Sequence, residues 1–561
     1  MLTSIVFRSL RGYRPRWIRA DVVAGLTVWA VLVPESLAYA SIAGVSPVVG
    51  LYAAPAALIL YAAFGSSRHL VVGPMSATAA LSAATVAGLG QRDADPAQLT
   101  VALALVTGVV AVLAGLLRLG FLAGFISEPV LKGFIVGLAL TIIAGQLPKL
   151  FGVEGGEGNF FEKLWHLVTE LGETNGWTLG VGLASLAVVL AMQRYVPLLP
   201  ASLVAVAAGV VAVVVLGLED KGVEVVGNID GGLPAFGLPD VGASDYLALV
   251  AGAVGITLVG FAEGLGAAKT YASRAGYDIT PDRELIGLGA ANLGAGLSSG
   301  MVVNGSLSKT AVNGGAGART QVSGLVVAGL TVVTLLFLTG LFEQLPEATL
   351  GAVVIAAVIE LVDVRSLTGL YRVWTRRLGS IYGIAARADF TAAIAALVGV
   401  LLFDTLPGLF IGIAVSMLLL LYRTSRPNLA VLGRSGGVWA DRARHPDAST
   451  EPGIVVVRVE SGLFFANADR VREQVRALVA RHPVRVVVLD AETVPFVDVT
   501  AARMLADLSR DLSRDGVTLV IARDVGQVRD LLHQADPGSG TTQVFRTVGD
   551  AVDAAREHRI S

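Results

Sequence analysis

Apolar runs of about 15–22 residues, each long enough for a helix to cross a hydrocarbon core, recur through the first three quarters of the chain. They predict spans near 21–44, 47–64, 74–90, 98–117, 126–147, 177–193 and 199–218, then near 245–267, 283–298, 305–315, 319–341, 348–362, 388–403 and 406–423. Near Arg423 the pattern changes. Short β-branched runs at 454–459, 484–489 and 517–522 predict strands, and residues 468–481, 500–514, 525–535 and 548–558 carry a helical period. The fold class expected is therefore an all-α polytopic membrane region of fourteen spans followed by a small layered α/β domain. The boundaries are a segment 1–20, a transmembrane region 21–425, a linker 426–452 and a domain 453–561.

Two places break the hydrophobic pattern in the same way. SSGMVVNGSLSKTAVNGGAGAR, residues 298–319, is too polar and too rich in glycine for an ordinary span, yet it lies among spans. It holds Asn304, Gly305, Ser306, Ser308, Lys309, Thr310 and Asn313. Within it, VVNGSLSKTAV reads as an extended piece, a turn and a helix beginning near Ser306. A Lys at mid-membrane costs about 3 kcal/mol on insertion scales, and irregular backbone there survives only when buried in protein or lining a cavity. The free amides and dipole of a helix start attract anions, and Lys309 adds a full charge one turn in. The alternative is a tight interhelical loop with Lys309 snorkelling to water. Against it stands the second break, HLVVGPMSATAAL at 69–81, where VVGPMSATAA repeats the β-branched pair, the turn and a Ser/Thr-rich helix start, with Pro74 favouring the helix. Paired interruptions in two halves of a membrane chain point to a transporter site between inverted repeats.

Composition narrows the picture. Of 561 residues 54% are hydrophobic and 15% charged, and the mean hydropathy of +0.70 excludes an ordinary soluble enzyme. Without any Cys there is no disulfide framework or thiolate site, and the six His form no ligand-spaced cluster, so no metal and no cofactor are expected. No nucleophile–base constellation or Walker loop occurs, which argues against an enzyme. The net charge of −2 says little about partners. Five Arg in residues 8–19 beside the first span argue for a cytoplasmic N-terminus rather than a nucleic-acid-binding arm. Acidic loop 149–176 (Glu154, Glu157, Glu162, Glu170, Glu173) fits the outside, and loop 365–387 (Arg365, Arg372, Arg376, Arg377, Arg387) the cytoplasm. An even span count puts both ends there. No cleavable signal is expected, because the first apolar run continues as a span.

Further polar residues sit inside spans. Glu35 and Tyr39 follow Pro34, which is expected to interrupt the first span, and four residues apart they share a helix face. Glu263 lies in GITLVGFAEGLGAAKTYA; Lys269 and Arg274, nearer its end, read as cytoplasmic-end anchors. Intramembrane acids mark ion or proton pathways. Glu263 is expected to pair with Lys309 in the empty site and to take a proton when an anion claims Lys309; a fixed structural pair is the alternative. Glu35 could instead satisfy backbone freed by Pro34, and Tyr39 could be an interhelical hydrogen-bonder.

VPESLAYASIAGVSPVVGLYAA, GSSRHLVVGPMSATAA, NGSLSKTAVNGGAGARTQVSG and the soluble tail resemble the sulfate permease (SulP) family over nearly the whole chain. The resemblance implies a seven-plus-seven inverted repeat divided into core and gate, with half-helices facing across an anion site and an elevator-like motion. By position it implies substrate contacts at Lys309, Ser308, Ser306, Gly305, Ser76, Ala77 and Tyr39, with Glu35 near the substrate and cation coupling at Glu263. Relatives often carry Arg where Lys309 stands and Gln where Glu35 stands. Lys is a point charge rather than a bidentate fork, and Glu35 adds a second proton carrier. Glu263 in place of Asp leans toward protons over sodium as coupling ion. GLFFANADRVREQV and VLDAETVPFVDVTAARML resemble a STAS domain, in which Thr500, two residues after Asp498, is either a phosphorylation target or a helix cap. The resemblance also implies a homodimer in the cell membrane, with a regulatory protein or a nucleotide as possible partners of the tail.

The function expected is proton-coupled transport of a small oxyanion or dicarboxylate such as sulfate, bicarbonate or fumarate. A nucleobase permease of the same plan, an anion channel or exchanger without proton coupling, and a receptor whose tail reports anion occupancy are the alternatives.

Overall fold

The computed structural model describes residues 6–557 apart from 11, 91–93, 122–126, 157, 197–199, 228–230, 360, 373–386, 404, 524–525 and 527–542. The chain forms two compact units, one of residues 1–370 with 389–415 and one of 371–388 with 416–561.

The first unit is helical. Its elements are α1 (Ile18–Ile42), α2 (Pro47–Phe64), β1 (Val71–Gly73), α3 (Ser76–Ala87), α4 (Pro96–Leu116), α5 (Glu128–Phe151), α6 (Phe160–Glu170), α7 (Gly176–Tyr195), α8 (Ala201–Leu216), α9 (Ala243–Ala275), α10 (Pro281–Leu297), β2 (Asn304–Ser306), α11 (Leu307–Gly315), α12 (Val322–Phe337), α13 (Glu347–Ile359), α14 (Val364–Arg372) and α15 (Ala388–Phe403). A further helix, α16 (Thr405–Thr424), runs from this unit into the second. Among the described residues seven helices are long and apolar enough to cross a membrane, and α3, α8, α12 and α15 are shorter apolar helices.

Three expectations need correction. Pro34 does not break α1, which continues to Ile42. A proline removes only its own hydrogen bond and crowds one carbonyl, and Leu32 to Ala40 are buried on every side, so packing holds the helix where propensity would not. The acidic loop after α5 contains α6, whose start is a capping box in which Asn159 accepts from Glu162 N at 3.1 Å and Glu162 from Asn159 N at 2.8 Å. The basic loop after α13 begins with α14; Glu157, Arg376 and Arg377 lie outside the described residues.

Glycines let the helices meet backbone to backbone. A Cβ on Gly108 of α4 would lie 2.7 Å from Leu293 N of α10, and one on Gly133 of α5 would lie 1.9 Å from the Ala393 carbonyl oxygen of α15. Small residues are what allow such approach in lipid, where no hydrophobic force drives helices together.

The second unit carries a six-stranded sheet of β3 (Leu429–Ser435), β4 (Val438–Asp441), β5 (Ile454–Val459), β6 (Val486–Asp490), β7 (Thr518–Ala522) and β8 (Val544–Phe545), in the order β4-β3-β5-β6-β7-β8. Strands β5 to β8 are parallel; β3 is antiparallel to β4 and β5. Helices α17 (Ala468–Arg481) and α18 (Val499–Arg514) cover one face and α19 (Val548–Arg556) the other. The stretch expected to be a linker thus holds two strands. The Gly436–Gly437 dipeptide is a hairpin signal, and both residues take positive φ in the two-residue turn. The expected helix 525–535 lies almost wholly outside the described residues. Asp498, not Thr500, caps α18 by accepting from Ala501 N at 2.8 Å, which leaves Thr500 exposed in the first turn.

Arg472 of α17 donates to Asp511 of α18 at 2.5 Å, with Arg476 and Arg514 each at 3.6 Å. The Arg472 hydrogen bond holds the Asp511 carboxyl below its ordinary range, and the neighbouring arginines add to the effect. A depressed folded-state value stabilises above the unfolded value, about pH 4, and the contribution fades as pH falls through the folded value. Asp511→Asn is therefore expected to speed amide hydrogen exchange in α17 and α18 at pH 7, with the difference from wild type vanishing once acid has protonated Asp511.

Candidate functional site

The two sequence interruptions meet. Strand β1 pairs antiparallel with β2, Val71 opposite Ser306, Val72 opposite Gly305 and Gly73 opposite Asn304. The NGS expected as a turn is therefore strand. Because the pair is antiparallel, α3 leaves from the Gly73/Asn304 end and α11 from the Val71/Ser306 end, so their N-termini face each other across it. No helix runs through Gly305, and a Cβ there would lie 2.8 Å from Leu70 and 3.1 Å from the Gly264 backbone. Glycine is what lets β2 lie against α9.

The extended backbone is satisfied by side chains. Asn292 of α10 accepts from Val303 N at 3.0 Å and donates to the Val303 carbonyl at 2.9 Å. Thr310 Oγ1 accepts from Val71 N at 3.0 Å, Asn313 donates to the His69 carbonyl at 2.9 Å, and Gln321 donates to the carbonyls of Ser67 and Leu70 at 3.1 and 2.8 Å. Upstream, the fully buried Glu284 carboxylate accepts from Tyr61 Oη, Ser66 N, Ser66 Oγ and Ser67 N at 2.6–3.0 Å. That is the requirement for non-helical chain at membrane depth.

Lys309 closes the junction. Its side chain is 1% exposed, and its ammonium donates to the Pro74 carbonyl at 3.0 Å, just before α3. The same nitrogen lies 2.7 Å from Glu35 Oε2 and 5.0 Å from the centre of the Tyr39 ring. Glu35 and Tyr39 do share a face of α1, as their spacing predicted. The snorkelling alternative fails, because the ammonium does not reach bulk solvent.

The expected partner of Lys309 was Glu263, and that is corrected: the pair is Lys309–Glu35. The lysine stem crosses the strand pair toward Pro74 and α1, whereas Glu263 sits on α9, whose neighbouring Gly260 lies against Asn304, with a Cβ there 2.6 Å from Asn304 Nδ2. Glu263 Oε2 is buried with no hydrogen-bond partner, as is Asn304 Nδ2. Beside them Thr78, Thr107, Thr257, Asn292 and Asn304 line a small cavity between α3, α4, α9 and α10.

Of the remaining expected residues, Ser306 is buried and caps α11, accepting from Lys309 N at 3.3 Å, and its Oγ lies 3.1 Å from that of Ser308, which is exposed. Ser76 and Ala77 open α3 and are buried. The sequence does not single out Asn292, Gln321 and Glu284; each is a polar residue in or beside an apolar run, and that is the one signal it carries. No group of three or more His, Asp or Glu that could hold a metal occurs among the described residues.

A helical membrane unit with two short helices started from a buried strand pair, and a separate sheet domain after it, defines a multi-pass membrane transporter with an appended α/β domain. Residues 18–385 match the model of the sulfate permease family and residues 445–551 that of the STAS domain. The chain belongs to the sulfate permease family and is an anion transporter of that family, not an enzyme. It is 37% identical over 557 residues to "Probable sulfate transporter Rv1739c" of Mycobacterium tuberculosis, covering 98% of this chain and 97% of the relative. It is 29% identical over 581 residues to "Sulfate transporter 1.3" of Arabidopsis thaliana, covering 97% and 86%. In fold it is similar to the murine Slc26a9 anion transporter solved in the inward-facing state, with a TM-score of 0.89 at 22% identity over 99% of this chain and 94% of that one. The transmembrane domain of the cyanobacterial bicarbonate transporter BicA matches with a TM-score of 0.61 at 22% identity, over 71% of this chain and 98% of that domain.

Asn292→Leu keeps the branched four-atom shape of the side chain but leaves the Val303 N–H and C=O without partners, at about 1–3 kcal/mol for each buried group. The expected result is a lowered thermal midpoint of the purified protein, checked by the unfolding of the whole chain in detergent.

Proposed function

We propose that the protein takes up a small oxyanion or dicarboxylate, of which sulfate is the first candidate and bicarbonate and fumarate the next, together with protons. The observation that carries this is the buried Lys309–Glu35 pair between the starts of α3 and α11. Glu35 behaves as a tethered anion. While it is ionised, its charge cancels that of Lys309, and an incoming anion must displace it. A carboxylate pushed from its partner in a low-dielectric site is costly unless it takes a proton, so anion binding and protonation of Glu35 become one event. Glu263, whose Oε2 is buried without a hydrogen-bond partner, is a second proton acceptor. If a dianion enters with two protons, one on Glu35 and one on Glu263, binding leaves the net charge of the site unchanged. The helix-end dipoles of α3 and α11, each about 0.3–2 kcal/mol, hold the anion loosely enough to release it.

Support comes from the curated relatives named as sulfate transporters and from the likeness to an anion transporter. The same reading takes the spans as fourteen in a seven-plus-seven inverted repeat, with an elevator-like shift of core against gate. It places both termini in the cytoplasm and the protein in the cell membrane as a homodimer, with the STAS domain regulatory.

The test is uptake of labelled sulfate, bicarbonate and fumarate into proteoliposomes with and without an inward proton gradient. Lys309→Ala is expected to reduce uptake to background, and because it strands a buried carboxylate, worth about 3–5 kcal/mol, the double variant with Glu35→Gln should recover stability without recovering uptake. Glu35→Gln alone should lower the half-saturating anion concentration and remove most of the stimulation by acid. Full acid stimulation in that variant would disprove the tethered-anion mechanism. Glu263→Gln is expected to keep anion exchange while losing accumulation driven by the proton gradient, read as counterflow against net uptake.

A further inference from the structure

Helix α6 is 11 residues long, too short to cross a bilayer, and it links α5 to α7. Asn175 N, just before α7, donates to the carbonyl of Phe151, the last residue of α5, at 3.0 Å. Asn175 Nδ2 donates to the carbonyls of Lys221 and Gly222 beyond α8, and the Lys221 ammonium lies 4.3 Å above the Trp177 ring. The ends of α5, α7 and α8 are therefore gathered at one level, and α6 lies at that level.

The helix turns three large apolar side chains outward on one stripe, Phe161, Trp165 and Val168, with Trp165 71% exposed. Leu167 faces the protein. Glu170, nine residues beyond Phe161, lies half a circle around the helix at 3.6 residues per turn. Phe161, Leu164, Trp165 and Val168, with Leu402 near the end of α15, give the apolar side of an open groove of about 1040 Å³, whose lining also includes Asn159, Glu162, His166 and Thr169. The groove runs onto the outward face of α15, where Val398 and Leu402, four residues apart, are both exposed.

We infer that α6 lies flat in the interface of the leaflet that meets the ends of α5, α7 and α8, and that the groove beneath it takes the acyl chain of a phospholipid. An apolar stripe of this size does not stay in water, and an amphipathic helix with Trp and Phe on its apolar face settles at the headgroup–acyl boundary. Continuity with the outward face of α15 selects lipid over a second copy of the chain, which would need its contact to extend over that span too. The helix thereby fixes the depth of α5, α7 and α8 in one leaflet. This holds whichever anion the protein carries.

The chain has no Cys, so Trp165→Cys and Glu170→Cys each give a single site for a nitroxide label in the full protein, reconstituted in phosphatidylcholine liposomes. At 165 the label is expected to relax more strongly with oxygen, which partitions into lipid, than with a water-soluble nickel chelate; at 170 the order should reverse. A label at 165 that favours the chelate, or is shielded from both reagents as it would be under a second copy, overturns the inference. The native side chain is tested separately with dibrominated phosphatidylcholine, where Trp165→Phe should reduce the quenched share of the tryptophan emission. Quenching unchanged by that substitution is equally fatal.

Discussion

A peptide chain that leaves helical form inside a bilayer must find a partner for every amide and carbonyl it exposes, and this protein does so with one three-residue strand pair. Strands β1 and β2 satisfy each other on their facing edges. Asn292, Thr310, Asn313 and Gln321 hold the backbone of the segments that lead to and from them. Once that backbone is secured, α3 and α11 can begin in mid-structure with their amide ends toward each other. The positive character of the site is thus a by-product of where two helices are forced to start, and Lys309 is added to a place already suited to negative charge.

The same constraint explains the glycines. Gly305 must have no side chain because β2 lies against Leu70 and the Gly264 backbone, and Gly260 must have none because Asn304 packs there. A site built from backbone needs neighbours that approach as closely as backbone. Charge obeys a parallel economy. Lys309 is buried with a carboxylate, a carbonyl and an aromatic face around its ammonium, and each of these is a contact that an anion can replace or share. A permanently saturated site, such as the Glu284 carboxylate with its four donors, has no such freedom and acts as a fastening.

The α/β unit shows how local pattern and tertiary pairing divide the work. Its helices α17, α18 and α19 are legible to within two residues because they carry amphipathic periods, and β5 to β7 because buried parallel strands read as unbroken β-branched runs. Strand β3 and its hairpin partner β4 read as linker in the sequence, although two glycines mark the turn. Nothing local requires LAVLGRS to be a strand; the edge of β5 does.

In the membrane unit the sequence by itself determined where apolar helices lie, to within about four residues except at the end of α9, which runs on to Ala275, and that 69–81 and 298–319 are two versions of one device. Hydropathy and helix-start chemistry act over a few residues, so they can be read in order along the chain. What only the tertiary structure decided was which acid neutralises Lys309. Glu35 and Glu263 stand 274 and 46 residues from it, and both are single carboxylates in apolar helices, indistinguishable by pattern. The outcome turned on which side of the strand pair a lysine stem of fixed length crosses. That is a matter of how helices pack, and packing is a property of the whole chain at once.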